Sequence, residues 1–335
     1  MLPGRAPHCR STHAAIWALL TDGLPAVLTS HARLDGDAVG STLALWHALR
    51  NAGVEAHVFF EPPTPAVFDC LPGMEMRASD VSQLPPAHHL VVIDCSSLDR
   101  AGERIARLPG RAQTVNIDHH ASNTRFGDLN CVAPTASSSG EMVYALLAAN
   151  GVALTAAIAE CLFAAILTDT GRFSHQDTTP EALEACAECI RAGAAPDEVA
   201  RQVFPSPSRA QVELRNMAMG TLRFHADGRI ASMAVTAEMF GRTGLAPVDT
   251  EGFVEALIGI RGVSAAVLLK EMPGDGCVKV SMRSRDPVDA CAVAALYGGG
   301  GHRYAAGCEI AQPTDDVRRM IVDQLRRHLR ATSAG

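Results

Sequence analysis

The fold of the first half of the chain is indicated by residues 26–41, which read AVLTSHARLDGDAVGS. Ala26–Ser30 is short and apolar, as expected of a buried strand. A polar turn with one histidine and two aspartates follows, and a helical pattern then covers Ala38–Asn51. Strand, polar turn and helix in this order are typical of a parallel sheet covered by helices.

The same alternation continues along the chain. Further strands are predicted at Val54–Phe60, Leu90–Asp94 and Thr114–Asp118. Further helices are predicted at Ser97–Arg107, Ser138–Asn150 and Thr155–Thr168. We therefore expect an α/β fold whose N-terminal domain has a mainly parallel sheet covered by helices.

The second half follows a different pattern. Three helices punctuated by prolines are predicted at Thr179–Arg191, Asp197–Phe204 and Ser208–Leu222. Strands return at Ile230–Thr236, Ala265–Lys270 and Val278–Arg283, with helices at Val288–Tyr297 and Asp315–Arg330. We predict a first domain over residues 1–190, a helical connector over 191–222 and a smaller α/β domain over 223–335.

Composition excludes several classes of protein. The 335 residues include 29 basic and 36 acidic side chains, giving a net charge of −7, which disfavours binding of long nucleic acid. No run approaches the ~20 apolar residues that span a bilayer, and the N-terminus lacks the apolar core of an export signal. We therefore expect a cytoplasmic protein with no membrane partner.

Acidic and imidazole side chains recur where predicted elements end. The four clusters are His31 with Asp35 and Asp37, Asp94 alone, Asp118-His119-His120, and Asp169-Thr170-Gly171. A lone aspartate at a strand end is most often a helix cap, and Asp-Gly-Asp is a common turn. Ligands of open parallel sheets, however, bind beyond the carboxyl ends of the strands, so clusters at three such ends should converge.

The residue types favour a site for divalent cations. Carboxylates with a few imidazoles suit Mg²⁺ or Mn²⁺, and Zn²⁺ or Co²⁺ less selectively. Two such ions would neutralise four aspartates, and a pair of ions about 3.5–4 Å apart clamps a phosphate for in-line attack.

A glycine run near the C-terminus indicates a second binding region. Gly298–Gly301 can expose backbone N–H groups to an anion, and His302, Arg283 and Arg285 add donors and charge. An isolated run of this kind is more often a plain turn. His302 and the Ala305–Gly307 segment that follows it favour the anion site.

These motifs together resemble those of the DHH phosphoesterases. The resemblance includes the four clusters and extends to a DHH-associated C-terminal domain, through residues 281–285 (SMRSR) and 298–307 (GGGGHRYAAG). One departure is Leu34, where the family usually has proline; it affects no candidate ligand.

The resemblance implies roles for individual residues. It implies one metal ion held by His31, Asp35 and Asp94, and a second held by Asp37, Asp94, His119 and Asp169, with Asp94 bridging. His120 would face the substrate phosphate, with Asp118 orienting its neighbours. Substrate binding would fall to Arg283, Ser284, Arg285, Gly299, Gly300, Gly301 and His302. The expected cofactors are two divalent ions, Mn²⁺ first, with Mg²⁺ or Co²⁺ as alternatives.

The resemblance is to the branch that trims short oligoribonucleotides and dephosphorylates adenosine 3′,5′-bisphosphate (pAp) to AMP. A pocket closed at one end would favour substrates of about two to five nucleotides. Short RNA, dinucleotides and pAp are thus the expected partners. A hydrolase of linear or cyclic dinucleotide messengers is the alternative of the same class, and a catalytically idle nucleotide sensor is the alternative of another class. The sequence leaves a homodimer open.

Overall fold

The computed structural model describes residues 10–204, 206–250, 252–272, 274 and 276–331. The chain divides into two compact units, Met1–Pro205 and Ser206–Gly335. Each unit is built on its own sheet, five-stranded in the first and six-stranded in the second. None of the helices within the described ranges combines the length and the apolarity needed to cross a membrane.

The first unit is an α/β domain. Its strands are β1 (Ala26–Thr29), β2 (Ala56–Val58), β3 (His88–Ile93), β4 (Arg111–Asp118) and β5 (Leu129–Val132). Its helices are α1 (Arg10–Leu20), α2 (Gly36–Asn51), α3 (Glu103–Ala106), α4 (Ser139–Ala149), α5 (Ala156–Asp169), α6 (Pro180–Arg191) and α7 (Pro196–Val203). The strand order is β2-β1-β3-β4-β5 and every pairing is parallel, which confirms the predicted fold class.

Apolar side chains alternate between the two faces of this sheet. Leu28 and Ile93 face one core, to which α1, α2 and α4–α7 contribute. Val27 and Val92 face a smaller core that is closed by short turns and by Ile105 of α3. Both faces are therefore covered, as near-continuous apolar strands require.

In the first unit, one predicted helix is wrong and one strand, β5, is not among the predicted strands. Ser97–Arg107 is broken into a 3-10 turn (Leu98–Ala101) and α3, because Gly102 between them has φ +101°, outside the helical region. Edge strand β5 was missed, since only Cys131 of its four residues is buried and the alternation is too weak to see.

The second unit is built around an antiparallel-rich sheet. Its strands are β6 (Arg223–His225), β7 (Ile230–Val235), β8 (Ala265–Glu271), β9 (Val278–Ser284), β10 (Gly300–His302) and β11 (Ala305–Ile310). Its helices are α8 (Arg209–Met219), α9 (Ala237–Thr243), α10 (Phe253–Ile258), α11 (Ala290–Ala295) and α12 (Thr314–Ala331). The order is β10-β11-β9-β8-β7-β6, and among the described strands of this second sheet only β7 and β8 pair in parallel.

The residues of the predicted connector pack with both units. Val199 and Val203 of α7 lie in the core of the first unit. Leu214 and Ala218 of α8 lie in a core of the second. The glycine run ends in strand β10, which pairs antiparallel with β11.

Glycine allows α2 to pack closely against α5. A Cβ at Gly40 would overlap the carbonyl oxygen of Cys161, which is backbone and cannot rotate away. Gly36, at the start of α2, is similarly close to the Thr168 side chain. Because α2 carries Asp37 and α5 ends at Asp169, this packing sets the separation of two candidate ligands.

Gly40→Ala should therefore destabilise the protein by about 1–3 kcal/mol, the usual cost of overpacking. Gly241 in α9 is the matched control, because it is exposed and a Cβ there meets nothing within 4 Å. Gly241→Ala should stabilise by up to ~1 kcal/mol through helix propensity. Urea unfolding followed by circular dichroism measures both, and equal effects would contradict the close packing of α2 on α5.

Candidate metal centre

Three predicted clusters meet at one edge of the first sheet. His31 follows β1, Asp94 follows β3, and Asp118 ends β4, and these strands are neighbours. Asp94 has a left-handed backbone with φ +54°, and its N–H donates to the Ile117 carbonyl at 2.8 Å. Such a conformation is costly for a non-glycine residue and persists only where the surroundings impose it.

The two aspartates of the first motif have different settings. Asp35 caps α2, accepting the Ala38 N–H at 3.0 Å, and its side chain is 58% exposed. Asp37, in the first turn of α2, is buried and accepts the N–H groups of Ser139 at 2.7 Å and Gly140 at 2.8 Å. Asp37 therefore lies at the N-terminus of α4, where a negative charge is stabilised.

One group of donors gathers around His31. Its Nε2 lies 3.2 Å from Asp94 Oδ2 and 3.7 Å from Asp35 Oδ2. The three ligand atoms lie within 4.8 Å of one another. This arrangement could hold a divalent ion with one nitrogen and two oxygen ligands.

A second group gathers around His119. Its Nε2 lies 3.4 Å from Asp169 Oδ2, 3.9 Å from Asp37 Oδ2 and 3.5 Å from Asp94 Oδ1. Asp94 thus has one carboxylate oxygen toward each histidine. The six side chains predicted as metal ligands are all brought together, and Asp94 lies between the two groups.

A hydrogen bond to Asp118 fixes the orientation of the His120 ring. His120 Nδ1 lies 2.8 Å from Asp118 Oδ1, while Asn123 Nδ2 donates to Asp118 Oδ2 at 2.6 Å. Asp118 is fully buried, whereas the His120 side chain is 36% exposed. Because Nδ1 is engaged, Nε2 is the ring nitrogen left for a ligand or a substrate.

The glycine-rich region of the second unit lines an open cavity of about 600 Å³. Gly299, Gly300, Arg283, Ala305 and Gly307 line it. The Arg283 Nη2 lies 2.8 Å from Glu255 Oε1, so a carboxylate of α10 fixes the guanidinium. Small side chains on β10 and β11 leave room for a ligand on this face.

The remaining predicted binding residues lie outside the wall of that cavity. Ser284 faces inward and donates its hydroxyl to the Val288 carbonyl at 2.8 Å. Arg285 is exposed beyond the end of β9, and Gly301 lies on β10. The side chain of His302 is outside the described part of the structure.

Comparison with known proteins identifies the family. Residues 26–166 match the N-terminal domain of the DHH family, and residues 231–330 match the DHHA1 domain. A bifunctional oligoribonuclease and PAP phosphatase NrnA of Thermus thermophilus is 36% identical over 313 residues, covering 93% of this chain and 91% of that protein. The chain belongs to the DHH family.

A further relative and a solved structure are also similar to this chain. A protein of the same name from Bacillus subtilis is 29% identical over 301 residues, covering 89% of this chain and 92% of its own. The crystal structure of an exopolyphosphatase-related protein from Bacteroides fragilis has a TM-score of 0.86 at 24% identity, covering 97% and 98% of the two chains, and shows the same fold. As a DHH protein, this chain is a metal-dependent phosphoesterase.

The carboxylates of the metal centre raise the pKa of His31 and of His119. Burial lowers the pKa of His31, but hydrogen bonds to Asp35 and Asp94 outweigh burial and raise it to about 9. Burial likewise opposes charge on His119, where Asp94 and the other carboxylates raise the pKa to about 10. Each imidazole therefore holds a proton that a metal ion must displace.

The carboxylates are shifted as well. Burial raises the pKa of Asp37 well above its usual value, and the charges of Asp94 and Asp169 add to this. Burial raises the pKa of Asp169 to about 7, with His119 opposing. Crowded, buried acids of this kind are stabilised in their charged form by divalent cations.

Glu141 supports the metal centre through hydrogen bonds that no local sequence pattern reveals. Ser138 caps α4, accepting the Glu141 N–H at 3.0 Å. The Glu141 carboxylate does not return to Ser138; it accepts the N–H and hydroxyl of Ser137 and the hydroxyl of Thr179 at 2.7 Å. Glu141 thereby joins the start of α6 to Ser137. Ser139, two residues after Ser137, donates hydrogen bonds to both Asp37 and Asp94.

Glu141→Ala should lower the free energy of unfolding by about 2–3 kcal/mol, because it leaves buried donors unsatisfied. Glu141→Gln keeps one acceptor oxygen and should lose about half as much. Glu184→Ala, exposed on α6, is the matched control and should lose less than ~0.5 kcal/mol. Urea unfolding gives all three values, and a Glu141→Ala loss no larger than that of Glu184→Ala would refute the anchoring role.

Proposed function

We propose that this chain hydrolyses short oligoribonucleotides of about two to five nucleotides to mononucleotides and removes the 3′-phosphate of pAp to give AMP. The observation that carries the proposal is similarity along 93% of the chain to a DHH protein named for these two activities. The arrangement of aspartates and histidines at the sheet edge supports it, because both reactions attack a phosphate ester.

The donor groups would hold two divalent ions, with Mn²⁺ the expected metal. We assign His31, Asp35 and Asp94 to one ion, and Asp37, Asp94, His119 and Asp169 to the other. When bound, such ions polarise the phosphate and lower the pKa of a bound water to near neutrality. The carboxylates would be kept charged and ordered by the contacts described above, with Asp37 held by α4 and Asp94 by Ser139.

His120 would supply the proton for the leaving group. During hydrolysis the P–O ester bond breaks and the departing oxygen needs a proton, which the Nε2–H of His120 can donate. Asp118 accepts from Nδ1 and stabilises the positive ring before transfer. Asp118 is a positioning residue in this scheme, because it acts only through His120.

The two domains would divide the work. We assign hydrolysis to the first domain. We assign binding of the terminal substrate phosphate to the open cavity of the second domain, here called the groove, where Arg283 and exposed backbone N–H groups can bind an anion. The cytoplasm, where RNA turnover leaves such fragments, is the proposed location.

A substrate panel tests the proposed function. The purified protein with Mn²⁺ receives pAp, linear diadenylate, a cyclic dinucleotide and a long RNA, and products are separated by chromatography. Rapid turnover of pAp and diadenylate with the long RNA spared is the expected result. Asp94→Asn, nearly isosteric, should lose at least about 100-fold in turnover because it removes a charge between the two donor groups.

Other outcomes of the same panel are informative. Preferential opening of the cyclic substrate would assign the chain to messenger turnover. Tight binding of pAp without turnover, with bound metal measured directly, would favour a nucleotide sensor. Full activity of Asp94→Asn would rule out the two-ion assignment.

Arg283 and Arg285, equivalent by sequence, should differ in their contribution to binding. Arg283→Ala should raise the KM for pAp about tenfold with little change in kcat, because charged hydrogen bonds to phosphate are lost. Arg285→Ala should raise KM less, since Arg285 does not line the cavity. Steady-state kinetics of both variants decides the matter, and a larger effect at Arg285 would place the phosphate outside the groove.

A further inference from the structure

Ion pairing separates the arginines of the first unit into two sets. Among its described side chains, those with a carboxylate within 4.0 Å are Arg77, Arg104, Arg107, Arg191 and Arg201. Arg50, Arg111 and Arg172 have no such partner in the described residues, and Arg172 lies over the Phe204 ring. Arg33, Arg100 and Arg125 also have none there, and all three are exposed. Exposed arginines without a carboxylate are available to bind an anion.

These three arginines lie on adjacent loops beside the metal centre. Arg33 stands between His31 and Asp35, Arg100 lies in the 3-10 turn that follows β3, and Arg125 lies in the loop between β4 and β5. Because β1, β3 and β4 are neighbours, all three loops emerge at the edge of the sheet that carries the candidate ligands. We call Arg33, Arg100 and Arg125 the arginine rim.

Hydrogen bonds join the three loops through Ser96. The Ala32 N–H donates to the Arg100 carbonyl at 2.8 Å, and Arg100 Nη1 donates to Ser96 Oγ at 2.8 Å. The Thr124 N–H donates to the Ser96 carbonyl at 2.8 Å. Ser96 is buried two residues after Asp94, so the rim is tied to the centre by backbone contacts.

The position of Arg125 is set by the same residue that supports the catalytic histidine. Arg125 has φ +54°, and its N–H donates to Asn123 Oδ1 at 2.7 Å. Asn123 also donates to Asp118, which holds His120. A left-handed arginine costs free energy, so its retention here indicates an imposed backbone position.

We propose that the arginine rim binds the phosphate next to the scissile one in substrates of three or more nucleotides. This inference rests on the proposed function. The scissile phosphate belongs to the metal ions and His120, and the terminal phosphate is assigned to the groove of the second domain. A further phosphodiester, present in a trinucleotide and absent from a dinucleotide, meets guanidinium groups that can grip it through paired N–H donors.

The test compares two substrates that differ by this one phosphate. The 5′-phosphorylated dinucleotide pApA has one diester, and pApApA has two. In Arg125→Ala, initial kcat/KM for pApApA should fall about tenfold, while that for pApA stays within about twofold. Arg100→Ala should act in the same direction, and Arg100→Lys should recover part of the loss, because lysine keeps the charge and loses the paired donors.

Matched controls come from the opposite end of the sheet. Arg50 lies in the last turn of α2 and Arg111 begins β4; both are exposed and neither has a carboxylate partner among the described residues. Arg50→Ala and Arg111→Ala change the net charge equally and should leave both substrates unaffected. Thermal melting checks that Arg100→Ala, which loses a contact to Ser96, keeps its fold; Arg125→Ala removes no described side-chain hydrogen bond.

Three results would overturn the inference. Equal losses on pApA and pApApA in Arg125→Ala would move this arginine to the scissile phosphate. If Arg125→Ala lost no kcat/KM on either substrate, the arginine rim would not bind the substrate. If Arg50→Ala and Arg111→Ala lost as much kcat/KM as Arg125→Ala, the change in net charge alone would explain the effect. If the wild-type chain cleaved neither substrate, the proposed function would fail on its own, and equilibrium binding of uncleaved pApApA and pApA to the same variants would then decide the role of the rim.

Discussion

The centre depends on placing a buried carboxylate at the start of a helix. Asp37 is only 1% exposed, and an unpaired charge at that depth would be strongly destabilising. The N–H groups of Ser139 and Gly140 each donate to one of its oxygens, so the N-terminus of α4 compensates part of the lost hydration. These two hydrogen bonds form only if the packing of the first unit holds α2 and α4 close together.

Glycine residues, which have no side chain, allow α2 and α4 to lie this close together. A Cβ at Gly140 would lie 2.6 Å from the Ala165 side chain, and one at Gly40 would overlap the backbone of α5. The two glycines let α2 and α4 pack against α5, which ends at Asp169. Helix packing and ligand geometry are therefore one constraint, since any bulk between these helices would separate Asp37 from Asp169.

Much of this arrangement could be predicted because strand ends are visible in the sequence. Short apolar runs ending at His31, Asp94 and Asp118 required only the rule that parallel strands share a carboxyl edge. The roles of individual atoms could not be predicted. Asp94 has a left-handed backbone and directs one oxygen to His31 and the other to His119. Glu141 contacts Ser137 and Thr179 rather than the capping serine. Contacts between distant parts of the chain leave no local pattern, and Gly102 shows that one backbone conformation suffices to break a predicted helix.

Local charge reconciles an acidic protein with a polyanionic substrate. The net charge of −7 disfavours any long strand, because each phosphate that is not neutralised by a cation adds repulsion. Unpaired arginines at the sheet edge act over about 10 Å at ordinary salt, the range within which charges are felt. A phosphate close to these arginines gains from their charge, whereas phosphates farther along a long strand gain little from them and meet the repulsion of the net charge. Local positive charge within an acidic protein therefore favours the short substrates proposed above, in addition to the limit that a pocket closed at one end would set.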